Sequence, residues 1–317
     1  MMPRPTAPTL PVTVRSGMLL ALATALLSGV SIWLNAFAVK QLPDPAVYTT
    51  VKNGVAALLL VALMVATVRP PTIRTISPRS WGSLLVIGVV GGSVPFILFF
   101  AGLAQASAPS AAFIHKTLFI WVALLAVPFL GERLGFAQVV ALGVLLAGQA
   151  LVLTPSGVMW GNGETMIAAA TLLWAVETIV AKRVLRDVPS PVVGACRLAI
   201  GLVVLVVFLA ATGKLGMVAA LSGTQWAWAG LTGVFLFGYV ATWFAALQRA
   251  PASLVTAILV LGAPVTATIQ LATSGNLPTA SVLLGQGFIL AAGAALVLPV
   301  LVRWRGQQTK RTLGAAA

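Results

Sequence analysis

Long apolar segments alternate with short polar ones along the whole chain. Each apolar segment holds about 20 residues, which is the length that an α-helix needs to cross the hydrocarbon core of a bilayer. The pattern predicts ten such spans, near 17–39, 46–68, 81–104, 109–130, 134–153, 162–183, 191–212, 225–247, 251–273 and 279–302. The longest connections, 69–80 and 213–224, are too short for a soluble domain. We therefore expect an all-α integral membrane protein.

The composition supports this fold class. Of the 317 residues, 60% are hydrophobic and only 8% are charged, whereas soluble domains carry about 25% charged residues. The net charge of +14 is compatible with nucleic-acid binding, but the basic residues lie in short loops and not on one patch. We therefore expect a lipid bilayer as partner and no nucleic acid. A monomer is a plausible oligomeric state.

The distribution of basic residues predicts the orientation. Fourteen of the 19 Lys and Arg residues fall in the tails and loops on one side, whereas only Lys40 and Lys214 fall in loops on the other. Loops rich in Lys and Arg stay in the cytoplasm. We therefore expect cytoplasmic N- and C-termini, with a cytoplasmic tail at 1–16, a basic cytoplasmic tail at 303–317, and a bacterial inner membrane as location.

The two halves of the chain resemble each other. Leu26-Leu27-Ser28-Gly29 aligns with Leu172-Leu173-Trp174-Ala175 at a shift of 146, and Gly131 aligns with Gly275 at a shift of 144. The halves, 17–153 and 162–302, hold five spans each, so the second enters the membrane from the opposite side. The sequence thus predicts two inverted five-helix repeats, from which many secondary transporters build alternating access.

These motifs, with Gly131-Glu132-Arg133 after the fourth span, resemble the EamA-type branch of the drug/metabolite transporter superfamily over about 17–302. The resemblance implies a ten-helix carrier that moves small organic metabolites, with the export of amino acids as the leading expectation. Among family members, the chain is similar to an aromatic amino-acid exporter. One departure is Gly275-Asn276-Leu277, where the acidic residue of the first half is missing.

Four charged residues lie well inside predicted spans and away from their ends, where a charge is costly and usually has a function. Lys52 and Lys116 are expected to bind an anionic group of the substrate, such as a carboxylate. The alternative is that their long side chains reach the membrane interface. Glu177 and Arg197 lie at matching depths and are expected to form an ion pair, which is either structural or a gate.

Aromatic residues and one histidine complete the candidate binding residues. Trp121, Trp174 and Trp243 lie inside spans and not at their ends, which fits the wall of a cavity or simple packing. His115 either contacts substrate or is bonded to a neighbouring helix. Because the chain has one His and one Cys, it cannot supply a structural zinc site, and we expect no metal and no cofactor.

Glycine and proline interrupt two spans. Gly91, Gly92 and Pro95 fall in the third span and Pro264 in the ninth. A proline removes a backbone donor and glycines loosen the preceding turn. These residues are therefore candidate hinges, although small residues also allow close helix packing.

Comparison of the halves separates residues needed for the repeat from those specific to one half. At a shift of 144, Lys116 corresponds to Val260 and Glu132 to Asn276. Lys116 therefore has a role that the repeat does not require. Glu132 is interpreted only as an anchor at the cytoplasmic end of the fourth span.

The function expected from the sequence is secondary transport. Multidrug or other metabolite efflux is the alternative within that class, and a passive channel or facilitator is the alternative outside it. The sequence has neither a phosphate-binding glycine loop nor a set of acid, base and nucleophile with workable spacing. We therefore do not expect an enzyme.

Overall fold

The computed structural model describes residues 12–103, 105–106, 108–153, 160–274 and 278–315. Within these ranges the chain forms helices and no strand. The helices are Val12–Gln41, Pro45–Thr67, Pro70–Arg74, Pro78–Val86, Val94–Leu103, Ala108–Lys116, Leu118–Leu130, Phe136–Leu153, Asn162–Val184, Ser190–Ala211, Leu215–Ala219, Gly223–Arg249, Ala252–Leu259, Gly262–Ser274 and Ala280–Ala315. A π-helical segment, Ile87–Gly91, joins the two helices of the third span. The all-α fold is confirmed.

The ten spans correspond to these helices in order. The third (78–103), fourth (108–130) and ninth (252–274) spans each consist of more than one helix. In the described ranges, nine segments are long and apolar enough to cross a membrane, and the fifth span, Phe136–Leu153, is a shorter apolar helix. The first helix begins within the expected N-terminal tail, and the tenth continues through most of the expected C-terminal one. The remaining tail residues, 1–11 and 316–317, lie outside the described residues.

The spans pack as two four-helix bundles and one separate pair. Spans one, two, eight and nine form the first bundle, and spans three, four, six and seven form the second; the bundles meet where span two packs against span seven and span four against span nine. Spans five and ten pack mainly against each other. Exchanging every span for its counterpart in the other half converts one bundle into the other. This packing is the arrangement that an inverted repeat produces.

Close helix contacts between the halves depend on glycine. A Cβ atom on Gly148 of the fifth span would lie 2.8 Å from the carbonyl oxygen of Gly285 in the tenth. A Cβ atom on Gly285 would lie 2.6 Å from the carbonyl oxygen of Gly148. Small residues let helix backbones approach in a membrane, where packing and not the hydrophobic effect drives association.

The fourth and ninth spans are broken at corresponding positions. The fourth span breaks at Thr117, between Ala108–Lys116 and Leu118–Leu130. The ninth breaks at 260–261, between Ala252–Leu259 and Gly262–Ser274. At a shift of 144 the two breaks coincide. The interruption of the ninth span agrees with the position of Pro264, whereas the break at Thr117 has neither glycine nor proline beside it.

An ion pair joins the two bundles on the side opposite to the termini. Asp44 Oδ2 lies 2.7 Å from Lys214 Nζ. Asp44 Oδ1 also accepts hydrogen bonds from the backbone N–H groups of Ala46 (2.7 Å) and Val47 (3.3 Å), and so caps the second span. Partial burial raises the pKa of Asp44, but these hydrogen bonds and Lys214 lower it by more, so the net shift of the pKa is downward.

Because the folded protein lowers the pKa of Asp44, the ionised carboxylate stabilises the fold above its unfolded-state pKa. We expect this contribution to disappear as the pH falls through the lowered pKa. Asp44→Asn should remove about 0.5–1 kcal/mol of stability at neutral pH and flatten the acid dependence. Thermal unfolding of the detergent-solubilised protein at neutral and acidic pH measures both effects. Asp187→Asn, which changes an exposed loop carboxylate, is the control, and an equal effect of both variants would contradict the prediction.

Candidate functional site

A cavity of about 420 Å³ lies between the two bundles, within the size range of small-molecule sites. Seven spans contribute to its wall. Its polar lining residues are Ser28, Ser31, Asn35, His115, Lys116, Glu177, Thr178, Arg197 and Thr256. Its aromatic lining residues are Phe96, Phe99, Phe119, Trp174, Tyr239 and Trp243, and the aliphatic ones are Ile32, Leu118, Leu236, Leu259 and Val260.

Lys116 lines the cavity next to the break in the fourth span. It is the last residue of Ala108–Lys116, and a cation is favoured at the C-terminal end of a helix. Among the described residues, no carboxylate forms an ion pair with Lys116. Val260, its counterpart in the second half, also lines the cavity beside a break. The two halves thus repeat the backbone geometry but not the charge.

Glu177 and Arg197 form the other charged pair in the cavity wall. Glu177 Oε1 lies 3.3 Å from Arg197 Nε, and both side chains are almost fully buried. Neither of these two atoms makes a hydrogen bond with a described residue, so their contact is electrostatic. The pair contributes no net charge to the cavity, and Lys116 therefore gives the wall its positive character.

The irregular part of the third span packs directly against this ion pair. A Cβ atom on Gly91 would lie 2.4 Å from Cγ of Glu177. One on Gly92 would lie 2.2 Å from the carbonyl oxygen of Arg197. Gly91 and Gly92 therefore permit close packing. Pro95 lies in the first turn of Val94–Leu103, where its missing N–H group is tolerated.

Pro264 occupies a similar position in the other bundle. It lies in the first turn of Gly262–Ser274, directly after the break in the ninth span. The four candidate hinge residues therefore lie next to irregular backbone. Their role in motion stays a prediction.

Aromatic side chains surround His115. Its ring lies edge-on to Trp174 and Phe99, with centroid distances of 5.0 and 5.2 Å. Trp174 also donates a hydrogen bond from Nε1 to the carbonyl oxygen of Gly91 at 3.1 Å. The buried Nδ1 atom of His115 has no hydrogen-bond partner among the described residues. One expectation for His115 was a hydrogen bond to a neighbouring helix. Its Nδ1 atom makes no such bond with a described residue.

Trp243 lies on the opposite wall and stacks on Tyr239, with ring centroids 6.1 Å apart and an interplanar angle of 9°. Aromatic surfaces from both bundles therefore face the cavity, since Trp174 belongs to the second bundle and Trp243 to the first. Flat apolar solutes fit such a space, because aromatic rings prefer edge-on and offset contacts with other rings.

Two candidate binding residues do not line the cavity. Trp121 is 39% exposed on the outer surface of the fourth span, and its Nε1 atom donates to Thr117 Oγ1 at 3.0 Å. It follows Lys116 by five residues, which places it about 140° around a regular helix. Lys52 is buried behind the first span, where its Nζ atom lies 3.5 Å from Oδ1 of the cavity residue Asn35. Lys52 therefore adjoins the cavity only through Asn35.

Hydrogen bonds connect the bundles between the cavity and the side of the termini. Lys182 donates to the carbonyl oxygens of Leu247 and Ala250, the latter at 2.8 Å. Gln248 donates in the reverse direction to the carbonyl oxygens of Leu185 (3.2 Å) and Val188 (3.4 Å).

Glu132 adds a third connection between the bundles. Its carboxylate accepts hydrogen bonds from the N–H groups of Ala252 (2.5 Å) and Ser253 (3.1 Å) and from the Ser253 hydroxyl. The interpretation of Glu132 as a simple membrane anchor is therefore wrong. The sequence carries one indication of this role, namely that Glu132 has no acidic counterpart in the second half. The corresponding residue there is Asn276, which lies outside the described residues.

These connections lie one helical turn beyond the cavity. Lys182 follows the lining residue Thr178 by four positions, and Leu247 follows Trp243 by four. One turn corresponds to about 5.4 Å along a helix. The hydrogen bonds therefore form a layer between the cavity and the side that carries the termini.

Comparison with known proteins identifies the family. The sequence model of the EamA-like transporter family matches residues 15–154 and, a second time, residues 161–298. The chain belongs to the EamA-like transporter family. This protein is therefore a multi-pass membrane transporter of small molecules, which is consistent with the expectation that it is not an enzyme. The double match supports its two-repeat organisation.

The fold of this EamA-like transporter is also found among solved structures. The crystal structure of one protein is similar to this fold with a TM-score of 0.73 and 20% sequence identity. The similarity covers 89% of this chain and 98% of the chain in that crystal structure. At this identity the likeness concerns the fold alone. No curated protein matches the sequence, and no named relative supports the narrower resemblance to an aromatic amino-acid exporter. Among the described residues, no cluster of His, Cys, Asp and Glu could hold a metal ion.

Proposed function

We propose that this EamA-like transporter is a secondary carrier that exports amino acids or related metabolites across a bacterial inner membrane by alternating access. The observation that carries the proposal is Lys116, a lysine without an ion-pair partner among the described residues, in an aromatic cavity between two bundles. The substrate carboxylate binds at Lys116. The substrate side chain lies between Trp174 and Trp243.

The charges of the cavity favour an anionic group over a cationic one. Glu177 is the carboxylate among the described lining residues, and Arg197 neutralises it. A cationic drug would find no free carboxylate there, whereas a carboxylate gains a charge-assisted hydrogen bond from Lys116. The same charges therefore disfavour multidrug efflux of cations.

The packing of the spans supports alternating access. The cavity lies between two bundles that the inverted repeat relates, and rocking of one bundle against the other would expose it to each side in turn. The layer formed by Glu132, Lys182 and Gln248 interrupts the path toward the termini. A permanently open channel would have no such layer.

Transport of purified protein in proteoliposomes tests the proposal. We expect saturable efflux of at least one labelled amino acid, and competition by the free amino acid but not by its methyl ester, which lacks the negative charge. Protein-free liposomes are the control. Movement of other solutes with no flux of any amino acid would refute the substrate class. Flux that rises linearly with concentration would favour a channel.

A further inference from the structure

We propose that Glu132 and Lys182 form a charged latch that holds the cavity closed on the side of the termini. This inference rests on the proposed alternating access and assigns one gate of that cycle to two residues. Both residues belong to the second bundle, and both bind the connection between spans eight and nine of the first bundle.

Each charge binds the end of a helix that favours it. Glu132 binds the first two N–H groups of Ala252–Leu259, where the helix dipole is positive. Lys182 binds carbonyl oxygens at the end of Gly223–Arg249, where the dipole is negative. Glu132 and Lys182 also lie close enough for their charges to interact. The connection between spans eight and nine is thus held from both ends by opposite charges.

The contacts must break when the bundles separate on this side. An N-terminal cap is normally local, and Glu164 provides an example, because it accepts from the N–H of Gly161 in its own helix at 3.1 Å. At the ninth span, the capping carboxylate belongs instead to Glu132. This residue lies 120 positions before Ala252 and in the other bundle. Opening toward the termini therefore removes the partners of Ala252 and Ser253, whereas it leaves the cap on Gly161 intact.

The other half of the chain lacks this pair of charges. Glu132 corresponds to Asn276 at a shift of 144, and Lys182 corresponds to Ala36 at a shift of 146. The counterparts of this pair are thus uncharged, and on the opposite side a different pair, Asp44 and Lys214, joins the bundles. The latch stabilises the state that is closed toward the termini.

Cysteine accessibility tests the latch without a transported substrate. The background variant carries Cys196→Ala, which removes the single native cysteine, and Thr178→Cys, which places a thiol in the cavity wall. Sealed membrane vesicles expose the reporter to a membrane-impermeant maleimide from the side of the termini or from the opposite side. Glu132→Gln keeps the size of the side chain and removes its charge. Glu164→Gln is the matched control.

We expect Glu132→Gln to raise the labelling rate from the side of the termini by about tenfold, the equilibrium shift expected from losing a charge-assisted hydrogen bond. Labelling from the opposite side should fall. Glu164→Gln should label like the background. Ser253→Ala, which removes one donor and is a milder change, should shift the rates in the same direction by less.

The latch would be overturned if Glu132→Gln and Ser253→Ala were both labelled from the side of the termini at the same rate as the background variant. An increase of the same size in Glu164→Gln would overturn it as well, because that carboxylate caps its own helix. Failure of amino-acid flux in proteoliposomes would instead refute the proposed substrate. Labelling and flux therefore distinguish the two failures.

Discussion

Replacing Lys116 with methionine should strongly reduce amino-acid efflux at concentrations that just saturate the parent protein. Methionine keeps the length and the apolar stem of the side chain and removes only the charge. Loss of one partner of a buried charge pair costs about 2–5 kcal/mol, which weakens substrate binding by at least about thirtyfold. The measurement is substrate affinity from binding to the detergent-solubilised protein, together with efflux from proteoliposomes.

The matched control for this variant is Lys40→Met, which removes an exposed lysine at the end of the first span. We expect it to bind and transport like the parent protein. Lys52→Met is informative in a different way, because Lys52 contacts the cavity residue Asn35 and does not line the cavity itself. A smaller loss is expected there. Equal transport by Lys116→Met and the parent would remove Lys116 from the site.

The second large effect is expected at Gly92. A methyl group at this position would lie 2.2 Å from the backbone carbonyl oxygen of Arg197 and 3.1 Å from Cα of Gly201. Backbone atoms cannot rotate away as the end of a flexible side chain can, so spans three and seven must separate. Gly92→Ala should therefore destabilise the protein by about 1–3 kcal/mol. Thermal unfolding of the detergent-solubilised protein measures this loss.

Gly143→Ala is the control for Gly92→Ala. A Cβ atom at Gly143 has no neighbour within 4 Å among the described residues, and alanine is the better helix former by about 1 kcal/mol. We expect the control to be as stable as the parent or slightly more stable. A Gly92→Ala variant with the unfolding temperature of the parent would contradict the close contact between spans three and seven.

The sequence was sufficient to predict the spans and the repeat. Membrane helices are determined by hydropathy, because an unsatisfied backbone polar group in lipid costs several kcal/mol. This constraint acts on every residue of a span, so the pattern survives in one sequence. It also places Lys116 and Trp174 inside spans, where a cavity becomes a reasonable expectation.

The sequence did not predict which face of a span points inward. Trp121 was a cavity candidate because of its depth, but the cavity lies on the other side of the fourth span. Span depth follows from composition, whereas rotation follows from packing against other helices. The break at Thr117 was missed for a related reason, because no local signal marks it. Its counterpart near Pro264 was the available signal.

Glu132 was underestimated because its partners are distant in sequence. The residues that it binds, Ala252 and Ser253, lie in the other half of the chain and bring ordinary backbone N–H groups. Backbone N–H groups occur at almost every residue, so no residue type in the sequence marks these two as the donors to Glu132. The comparison of halves that singled out Lys116 applies equally to Glu132, since both lack a counterpart of the same charge.

The pairing of spans across the two halves also bears on how the protein is made. The fifth span packs mainly against the tenth, and the first packs mainly against the eighth. When the ribosome has completed the first half, these helices are in the membrane without their partners. Their glycine-rich surfaces, such as that around Gly148, must then remain available until the final helix has been synthesised. Within this chain, each repeat therefore depends on the other half for the packing partners of its helices.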